Sequence, residues 1–218
     1  EVLVSVTLDD TPPVMTSSIP SNNAFINAPI SLVSLNLTDL YSSIDVTATT
    51  NGASVRNSSG QEIPGTWTAS GSSTVIFTPS NSLSQDTYTV TVYPTDSFGN
   101  KTTAQITFNY DATAPPAPFI NAVVTPTNIA AQVLSGTKSS DTASIVITAS
   151  SALTPGAVAY PTSTTWSVSV SNLQQGTNTI TISAKDSAGN QSAGVSTIII
   201  YDTIPPSAPT VNPVTSPT

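Results

Sequence analysis

The 218-residue sequence contains no cysteine and no histidine. The missing cysteine excludes disulfides and thiolate metal sites, and the missing histidine excludes the usual zinc centres, haem ligation and most nucleophile–base pairs. Small secreted animal domains are often rich in disulfides, so this composition points away from them. We therefore predict that the chain is not an enzyme and that it requires no cofactor.

Basic residues are scarce as well, with 4 Lys and Arg against 12 Asp and Glu and a net charge of −8. Nucleic-acid binding needs clustered cations, so nucleic acid is excluded as a partner. The longest apolar run, near Ile198–Tyr201, is too short to cross a bilayer, and no membrane insertion is expected. Glu1 is not an initiator Met, and we expect the chain to be part of a longer protein.

What the sequence does contain is an internal repeat. Three related segments each follow an alternating, β-type run: Asp10-Thr-Pro-Pro13, Asp111-Ala-Thr-Ala-Pro-Pro116 and Asp202-Thr-Ile-Pro-Pro206. A second motif, Asp96-Ser-Phe-Gly-Asn100, returns as Asp186-Ser-Ala-Gly-Asn190. Two copies of one domain, with pieces of neighbouring copies at the ends, account for nearly every residue, which predicts a tandem array.

Period-two alternation between turn signals predicts about seven short strands in each copy and no helix. The predicted fold class is all-β, with two tandem immunoglobulin-like β-sandwiches arranged end to end. The strands are expected near 13–18, 30–37, 44–49, 52–57, 73–78, 87–94 and 103–110, then near 118–124, 130–136, 143–149, 157–161, 164–171, 177–184 and 195–201.

The domain boundaries follow from the repeat. Residues 1–10 are predicted to be the last strand of a preceding repeat or a linker, with Val2–Leu8 as the strand. Residues 11–111 and 112–203 are predicted to be the two domains, and 204–218 the start of a following repeat. Within the first domain, Asn51-Gly52 favours a hairpin turn, and Leu83–Tyr88 has the spacing of a tyrosine corner.

These motifs resemble the bacterial immunoglobulin-like repeats of large adhesins. The resemblance rests on Asp-x-x-Gly-Asn before the last strand, then Tyr-Asp and Pro-Pro at the join, and in the second copy also on Gly136-Thr137, Thr165-Trp166 and Leu173-x-x-Gly-x-Asn178. It covers essentially the whole chain. It implies a bacterial extracellular or cell-surface location, with neighbouring immunoglobulin-like repeats of the same chain as partners and host or matrix glycans or proteins bound through other domains.

The acidic residues concentrate where the predicted topology brings loops together. The chain enters a seven-strand sandwich at the pole where a turn joins its last two strands. Asp96 is therefore expected near Asp9, Asp10 and Asp39. By the same argument, Asp186 is expected near Asp111 in the second copy.

Two interpretations of these residues remain open. Turn chemistry alone explains Asp, Gly and Asn in both motifs. Alternatively, the clustered oxygens bind Ca²⁺ at the two interdomain junctions, as in the calcium-stiffened linkers of similar adhesin arrays. The candidate ligands fall into two groups, of which the first has more carboxylates and is expected to bind more tightly: Asp9, Asp10, Asp39, Asp96 and Asn100, then Asp111, Asp186 and Asn190.

The functional prediction is a non-catalytic spacer of a bacterial surface or secreted adhesin-type protein, which projects a distal binding region. Paired prolines at the joins restrict the backbone and favour semi-rigid connections. The alternative is an accessory module of a secreted glycan-active enzyme, which would need several exposed rings on one face. We expect Phe77, Tyr88, Phe108, Phe119 and Trp166 in the core and Tyr41, Trp67, Phe98 and Tyr160 exposed. A third possibility is that one sandwich is itself adhesive.

Overall fold

The computed structural model describes residues 8–150 and 152–212 of the chain. It divides into two compact units between Ala114 and Pro115, with Ser187–Asn190 grouped with the first unit. Each unit is built around a β-sandwich, which confirms the predicted all-β fold of two immunoglobulin-like sandwiches. The strand predicted at Val2–Leu8 lies outside the described residues, apart from Leu8 itself, and residues 213–218 also lie outside them.

The first sandwich has two four-stranded sheets, in the orders β1-β3-β6-β5 and β2-β8-β7-β4. All neighbours are antiparallel except β2 and β8, which are parallel. The elements in chain order are β1 (Val14–Ile19), β2 (Ala24–Ile26), β3 (Val33–Thr38), α1 (Val46–Thr50), β4 (Ser54–Arg56), β5 (Gly65–Ser70), β6 (Thr74–Pro79), β7 (Asp86–Val92) and β8 (Ala104–Tyr110).

Period-two alternation builds the core of the first sandwich. Val33 and Leu35 of β3 are buried, and Ser34 between them points to the opposite face. In the opposite sheet, β7 buries Tyr88 and Val90 in the same way. Because successive side chains of a strand point to opposite faces, each sheet presents one apolar face to the other.

The second sandwich has one sheet ordered β12-β14-β10-β9, in which β13 also pairs with β14, and a three-stranded sheet ordered β11-β15-β16. Its strands are β9 (Phe119–Ile120), β10 (Gln132–Thr137), β11 (Ser144–Ala149), β12 (Thr154–Pro155), β13 (Ala159–Thr162), β14 (Thr165–Ser171), β15 (Gly176–Lys185) and β16 (Val195–Tyr201).

Trp166 lies at the centre of the second core and is 1% exposed. Gly136 on the neighbouring strand lets the backbone of Phe119 approach closely, because a Cβ there would overlap the Phe119 carbonyl and meet the Trp166 ring. Ile120 is the residue of β9 that packs against the core, so Phe119, its neighbour on the strand, points to the opposite face and its side chain is 63% exposed. The prediction that Phe119 belongs to the core is therefore wrong, whereas Phe77, Tyr88, Phe108 and Trp166 are buried as predicted.

The prediction of a strand at 44–49, and of no helix, is wrong. Residues Val46–Thr50 form a short α-helix, because Asp45 Oδ1 accepts the backbone N–H of Ala48 at 2.9 Å and caps its first turn. The buried hydroxyl of Thr49 accepts the backbone N–H of Thr95 at 3.0 Å and ties the helix to the core. Gly52 adopts a φ of 78° after the helix, so Asn51-Gly52 ends a helix instead of joining two strands.

Three strands were not predicted: β2, β5 and β12. In β5 only Trp67 is partly buried, where its ring packs against Phe77 at 5.1 Å between centroids. An edge strand with one inward side chain shows no alternation of apolar residues, and this explains why the sequence pattern missed it.

The corner before the penultimate strand uses a different residue in each sandwich. Tyr88 Oη donates to the Ser84 carbonyl at 2.7 Å, which confirms the predicted tyrosine corner. In the second sandwich Asn178 stands at this place. Its Nδ2 donates to the Gln174 carbonyl at 2.8 Å, and its Oδ1 accepts the Gln174 N–H at 2.9 Å. A fully buried amide thus closes the corner that a phenol closes in the first sandwich.

No helix within the described residues is long and apolar enough to span a membrane.

Candidate metal centre

Asp96 organises the turn between β7 and β8. Its Oδ1 accepts the backbone N–H groups of Phe98 at 2.9 Å and Asn100 at 2.8 Å. Its Oδ2 accepts the Asn100 Nδ2–H at 2.7 Å and the Ser42 hydroxyl at 3.1 Å. Gly99 takes a φ of 91°, a conformation that a side chain would disfavour. Asp96 is only 1% exposed, so the turn buries a carboxylate and surrounds it with neutral donors.

Asp39 organises the loop that follows β3. Its Oδ1 accepts the backbone N–H of Tyr41 at 2.9 Å and that of Ser42 at 2.8 Å. The same oxygen lies 3.0 Å from the Ser42 hydroxyl, which also lies within hydrogen-bond distance of Asp96. Ser42 therefore joins the two carboxylates, a role that was not predicted from the sequence. The spacing Asp39-x-x-Ser42 is the signal that could have indicated it.

Asp9 arrives from the segment that leads into β1. Its Oδ1 accepts the backbone N–H of Thr11 at 3.1 Å and the Thr11 hydroxyl at 2.8 Å. Its backbone carbonyl accepts the Asn100 Nδ2–H at 3.0 Å, which holds the segment against the Asp96 turn. Its other carboxylate oxygen, Oδ2, is buried and has no hydrogen-bond partner among the residues that the structure describes. A buried carboxylate oxygen without a donor is costly unless a cation faces it.

These three residues, Asp9, Asp39 and Asp96, form one group that we call the acidic triad. Each offers a carboxylate oxygen, and the three oxygens lie within 4.8 Å of one another. Two oxygens that each bind one Ca²⁺ at about 2.3–2.6 Å lie at most about 5 Å apart. The geometry therefore fits a shared calcium ion. Within the residues that the structure describes, this is the one group of three or more acidic side chains with such spacing.

The pKa values of Asp39 and Asp96 reflect a balance between hydrogen-bond donors, which lower them, and unfavourable effects of the surroundings, which raise them. Desolvation raises the pKa of Asp96, but hydrogen bonds from the Asn100 side chain and from the backbone of Asn100 and Phe98 outweigh it, and the pKa is lowered overall. The backbone N–H of Tyr41 lowers the pKa of Asp39, opposed by desolvation and by the negative charge of Asp96. Both lowered values keep Asp39 and Asp96 ionised at neutral pH.

No basic side chain within the described residues forms an ion pair with the triad. Lys101 follows the Asp96 turn directly, but its Nζ lies over the Tyr93 ring at 4.5 Å from the centroid. Arg56 forms an ion pair with Glu62, which is not part of the triad. Neutral hydrogen-bond donors therefore offset only part of the electrostatic repulsion among the three carboxylates.

Two other predicted ligands of the first group have different roles. Asp10 is exposed and is not part of the triad. Asn100 turns its Nδ2 toward Asp9 and Asp96, so in this geometry it positions the acidic residues by donating hydrogen bonds.

The second group of predicted ligands contains two carboxylates, those of Asp111 and Asp186, together with the Asn190 amide. Asp186 is 5% exposed. Asn190 Nδ2 donates to the Asp111 carbonyl at 2.8 Å, within the first unit, as Asn100 donates to Asp9. No group of three acidic side chains within metal-ligand range forms around Asp111 and Asp186 in the described part of the chain. Ca²⁺ at this second position stays a prediction.

The exposed aromatic rings are distributed over different elements. Tyr41 lies in the loop after β3, Phe98 in the β7–β8 turn, and Tyr160 on β13, each exposed as predicted. Phe25 on β2 and Phe119 on β9 are exposed as well. Trp67 is instead half-buried against Phe77. Among the described residues, each strand or loop with an exposed ring presents a single one.

Residues 9–112 match a family described as bacterial Ig-like domain. The match covers the whole first sandwich, including the acidic triad, and just under half of the chain. No curated protein sequence matches the chain.

Several solved structures are similar in fold. The fibronectin(III)-like modules of Clostridium thermocellum CbhA are 13% identical, with 87% of this chain and 93% of that chain covered and a TM-score of 0.46. PcoC, a methionine rich copper resistance protein from Escherichia coli, is 19% identical, with 46% and 100% covered and a TM-score of 0.41. The BSP domain of a biofilm associated protein is 21% identical, with 88% and 30% covered and a TM-score of 0.31.

Proposed function

We propose that this chain, whose residues 9–112 are a bacterial Ig-like domain, is a non-catalytic spacer of a bacterial surface or secreted adhesin-type protein. Bacterial Ig-like domains are a non-catalytic domain type and are typical of surface or secreted bacterial proteins. The spacer separates a distal binding region from the point of attachment, outside the cell or on its surface. Its partners are neighbouring immunoglobulin-like repeats of the same polypeptide.

The observation that supports the spacer role is the repetition of one structural plan. Both units are sandwiches, and each is followed by a segment that begins with Asp and leads to paired prolines, Pro115-Pro116 and Pro205-Pro206. Proline restricts φ and removes a backbone donor, so these segments sample fewer conformations than a flexible tether.

We further propose that the acidic triad binds a divalent cation, Ca²⁺. Two observations support this: Asp9 Oδ2 is buried and has no donor among the described residues, and one carboxylate oxygen from each residue of the triad lies within 4.8 Å of the others. The ion would supply the missing positive charge and join three segments: the one that leads into β1, the loop after β3 and the β7–β8 turn. Backbone carbonyls and water would complete the six to eight oxygens that Ca²⁺ takes.

The size of the effect follows from the affinity of comparable sites. Extracellular calcium modules bind at about 10⁻⁴–10⁻³ M. A ligand that binds only the folded state at ten to a hundred times its Kd stabilises that state by about 1.4–2.7 kcal/mol. At about 10 mM CaCl₂ the first sandwich should therefore unfold at a clearly higher temperature than in EDTA.

Calorimetric titration of the whole chain with CaCl₂ tests the cation site. We expect the site at the triad in the wild type, its loss in Asp9→Asn or Asp39→Asn, and an unchanged site in Asp10→Asn, since Asp10 is an exposed neighbour outside the triad. A second titration with MgCl₂ should give weaker binding, because Mg²⁺ releases its water reluctantly. Absence of heat in the wild type at millimolar Ca²⁺ would reduce the triad to turn chemistry.

The spacer role is tested in the intact parent protein. Replacing both sandwiches by two unrelated sandwiches of similar size should preserve attachment of cells to their target, and deleting both should weaken it. Attachment that is lost on replacement, with surface display unchanged, would instead assign the binding activity to these residues.

The alternative, a glycan-binding accessory module, is tested by pull-down of the purified chain with insoluble polysaccharides. A platform for sugars needs several rings on one face. Of the exposed rings among the described residues, only Tyr41 and Phe98 lie in a loop and a turn that are joined, through Ser42, while Phe25, Phe119 and Tyr160 lie on three different strands. We expect no retention. Retention that disappears in Tyr41→Ala or Phe98→Ala would favour the accessory module.

A further inference from the structure

The segment that leaves each sandwich is held by a glutamine from the corner before the penultimate strand. In the first sandwich Gln85 Oε1 accepts the backbone N–H of Ala112 at 2.7 Å and the hydroxyl of Thr113 at 2.8 Å. In the second sandwich Gln175 Oε1 accepts the backbone N–H of Thr203 at 3.2 Å and its hydroxyl at 3.1 Å. In both sandwiches, the glutamine side-chain oxygen thus accepts hydrogen bonds from a backbone amide and from a threonine hydroxyl.

Two further contacts recur around each glutamine. The backbone N–H of Asp111 donates to the Ile26 carbonyl, and that of Asp202 donates to the Thr127 carbonyl, both at 2.9 Å. Each aspartate then accepts the backbone N–H two residues later, at 2.9 Å in both copies. The aspartate fixes the local turn, and the glutamine fixes that turn to the body of its own sandwich.

The sequences around the two glutamines differ, although the contacts are the same. The corner reads Leu83-Ser-Gln-Asp-Thr-Tyr88 in the first sandwich and Leu173-Gln-Gln-Gly-Thr-Asn178 in the second. The corner residue itself changes from tyrosine to asparagine, and the threonine that donates its hydroxyl moves by one position relative to the aspartate. Only the third residue of the corner, the glutamine, reaches the departing segment in both.

We infer that Gln85 and Gln175 act as linker clamps, which set the direction in which the chain leaves each sandwich. The contacts begin one residue after the aspartate and precede the paired prolines. The stiff proline segment therefore starts from a point fixed on the sandwich, and the spacer proposed above gains a defined exit at each repeat. The clamp consists of neutral hydrogen bonds and is independent of any cation at the acidic triad.

The two clamps differ in the role of the glutamine amide nitrogen. Gln175 Nε2 also donates to Asp202 Oδ1 at 2.7 Å, whereas the Gln85 contacts to the linker use its oxygen. Glutamate keeps the acceptor and loses the amide donor. Gln85→Glu should therefore retain its clamp, while Gln175→Glu should lose its clamp, because it places a carboxylate against Asp202.

The experiment measures backbone order by ¹⁵N relaxation in the whole chain, in EDTA so that no cation contributes. In the wild type the amides of Ala112 and Thr203 should have order parameters near those of rigid backbone, about 0.85. Gln85→Met should lower that of Ala112 toward about 0.6 and leave Thr203 unchanged, and Gln175→Met should do the converse. Gln85→Glu should match the wild type, and Gln175→Glu should match Gln175→Met.

Equal order of Ala112 in the wild type and Gln85→Met, with β8 amides unchanged, would overturn the inference. Equal effects of the two glutamate variants would also overturn it. If a methionine variant fails to fold, Thr113→Val keeps the glutamine and removes one donor, and it should lower the order of Ala112 by a smaller amount. Because every measurement is made without Ca²⁺, failure of the clamp is distinguishable from failure of the proposed cation site.

Discussion

The loops that follow β3 and β10 occupy the same place in the two sandwiches and are held by opposite charges. In the first, the Asp39 carboxylate accepts from its own loop and stands with Asp9 and Asp96. In the second, the Lys138 ammonium donates to the carbonyls of Thr142 and Ser163, both at 2.8 Å. The first loop is organised by anions that form no ion pair with the described residues, and the second carries its own cation.

This difference explains why, in our proposal, an external ion serves the loop after β3 and not the loop after β10. Ser139 Oγ accepts the backbone N–H of Asp141, as Asp39 Oδ1 accepts that of Tyr41, so a hydroxyl takes the place of a carboxylate in the second loop. The ring of Tyr160 also faces Lys138 Nζ at 5.5 Å. The Lys138 ammonium is part of the chain, so its carbonyl partners always have a donor nearby. An ion bound at the triad neutralises the carboxylates only while free Ca²⁺ is present.

The largest expected effect concerns the corners. Asn178→Ala removes a fully buried amide that donates to the carbonyls of Gln174, Gly176 and Ile199, and it should destabilise the second sandwich by about 2–4 kcal/mol. The matched change in the first sandwich, Tyr88→Phe, removes one hydroxyl and should cost about 1 kcal/mol. Urea unfolding followed at assigned amide signals of β15 and β7 measures both. Equal losses would show that the amide and the phenol contribute alike.

Lys138→Met tests the internal cation of the second loop. Removing charge-assisted hydrogen bonds from two backbone carbonyls at 2.8 Å should cost the second sandwich about 1–3 kcal/mol, with no change in the first. Lys101→Met is the control, since the Lys101 ammonium lies over the Tyr93 ring. Its removal should lower the stability of the first sandwich by about 0.5–1 kcal/mol. Thermal unfolding of the two variants with and without Ca²⁺ provides the measurement. A Lys138→Met variant as stable as the wild type would contradict the comparison.

A smaller effect is expected on acidification without divalent ions. The folded-state pKa values of Asp39 and Asp96 lie below their ordinary value of 3.8, so their contribution to stability is present above that pH. It should be lost as the pH falls through the lower folded-state values, because the unfolded chain then binds more protons. The unfolding temperature of the first sandwich should decline in this range, and less steeply in Asp39→Asn. A decline of equal steepness in the variant would exclude Asp39 as a contributor.

The sequence was sufficient for the fold class and for all three residues of the triad, to which it wrongly added Asp10. Alternation predicted β7, β8, β15 and β16, because strands buried on one face follow period two. Topology predicted that Asp9, Asp39 and Asp96 would meet, since loops at one pole of a sandwich must be neighbours.

The remaining features depend on contacts that no local pattern contains. The helix at Val46–Thr50 has a local cap in Asp45, but its attachment to the core depends on the contact between Thr49 and Thr95, far away in sequence. The role of Lys138 depends on Ser163, which is brought close only by the pairing of β10 with β14. Asp10 and Asp9 are adjacent in sequence, and only the path of the chain decides which carboxylate is buried at the triad.

The most direct test of the account compares hydrogen exchange of the two sandwiches in EDTA and in about 10 mM CaCl₂, a concentration at or above the Kd expected for such sites. We predict that Ca²⁺ slows exchange in the segment that leads into β1, the loop after β3 and the β7–β8 turn. The loop after β10 should exchange at the same rate in both conditions, and Asp9→Asn should abolish the response of the first sandwich. Equal protection of both loops by Ca²⁺, or no protection of either, would contradict the account.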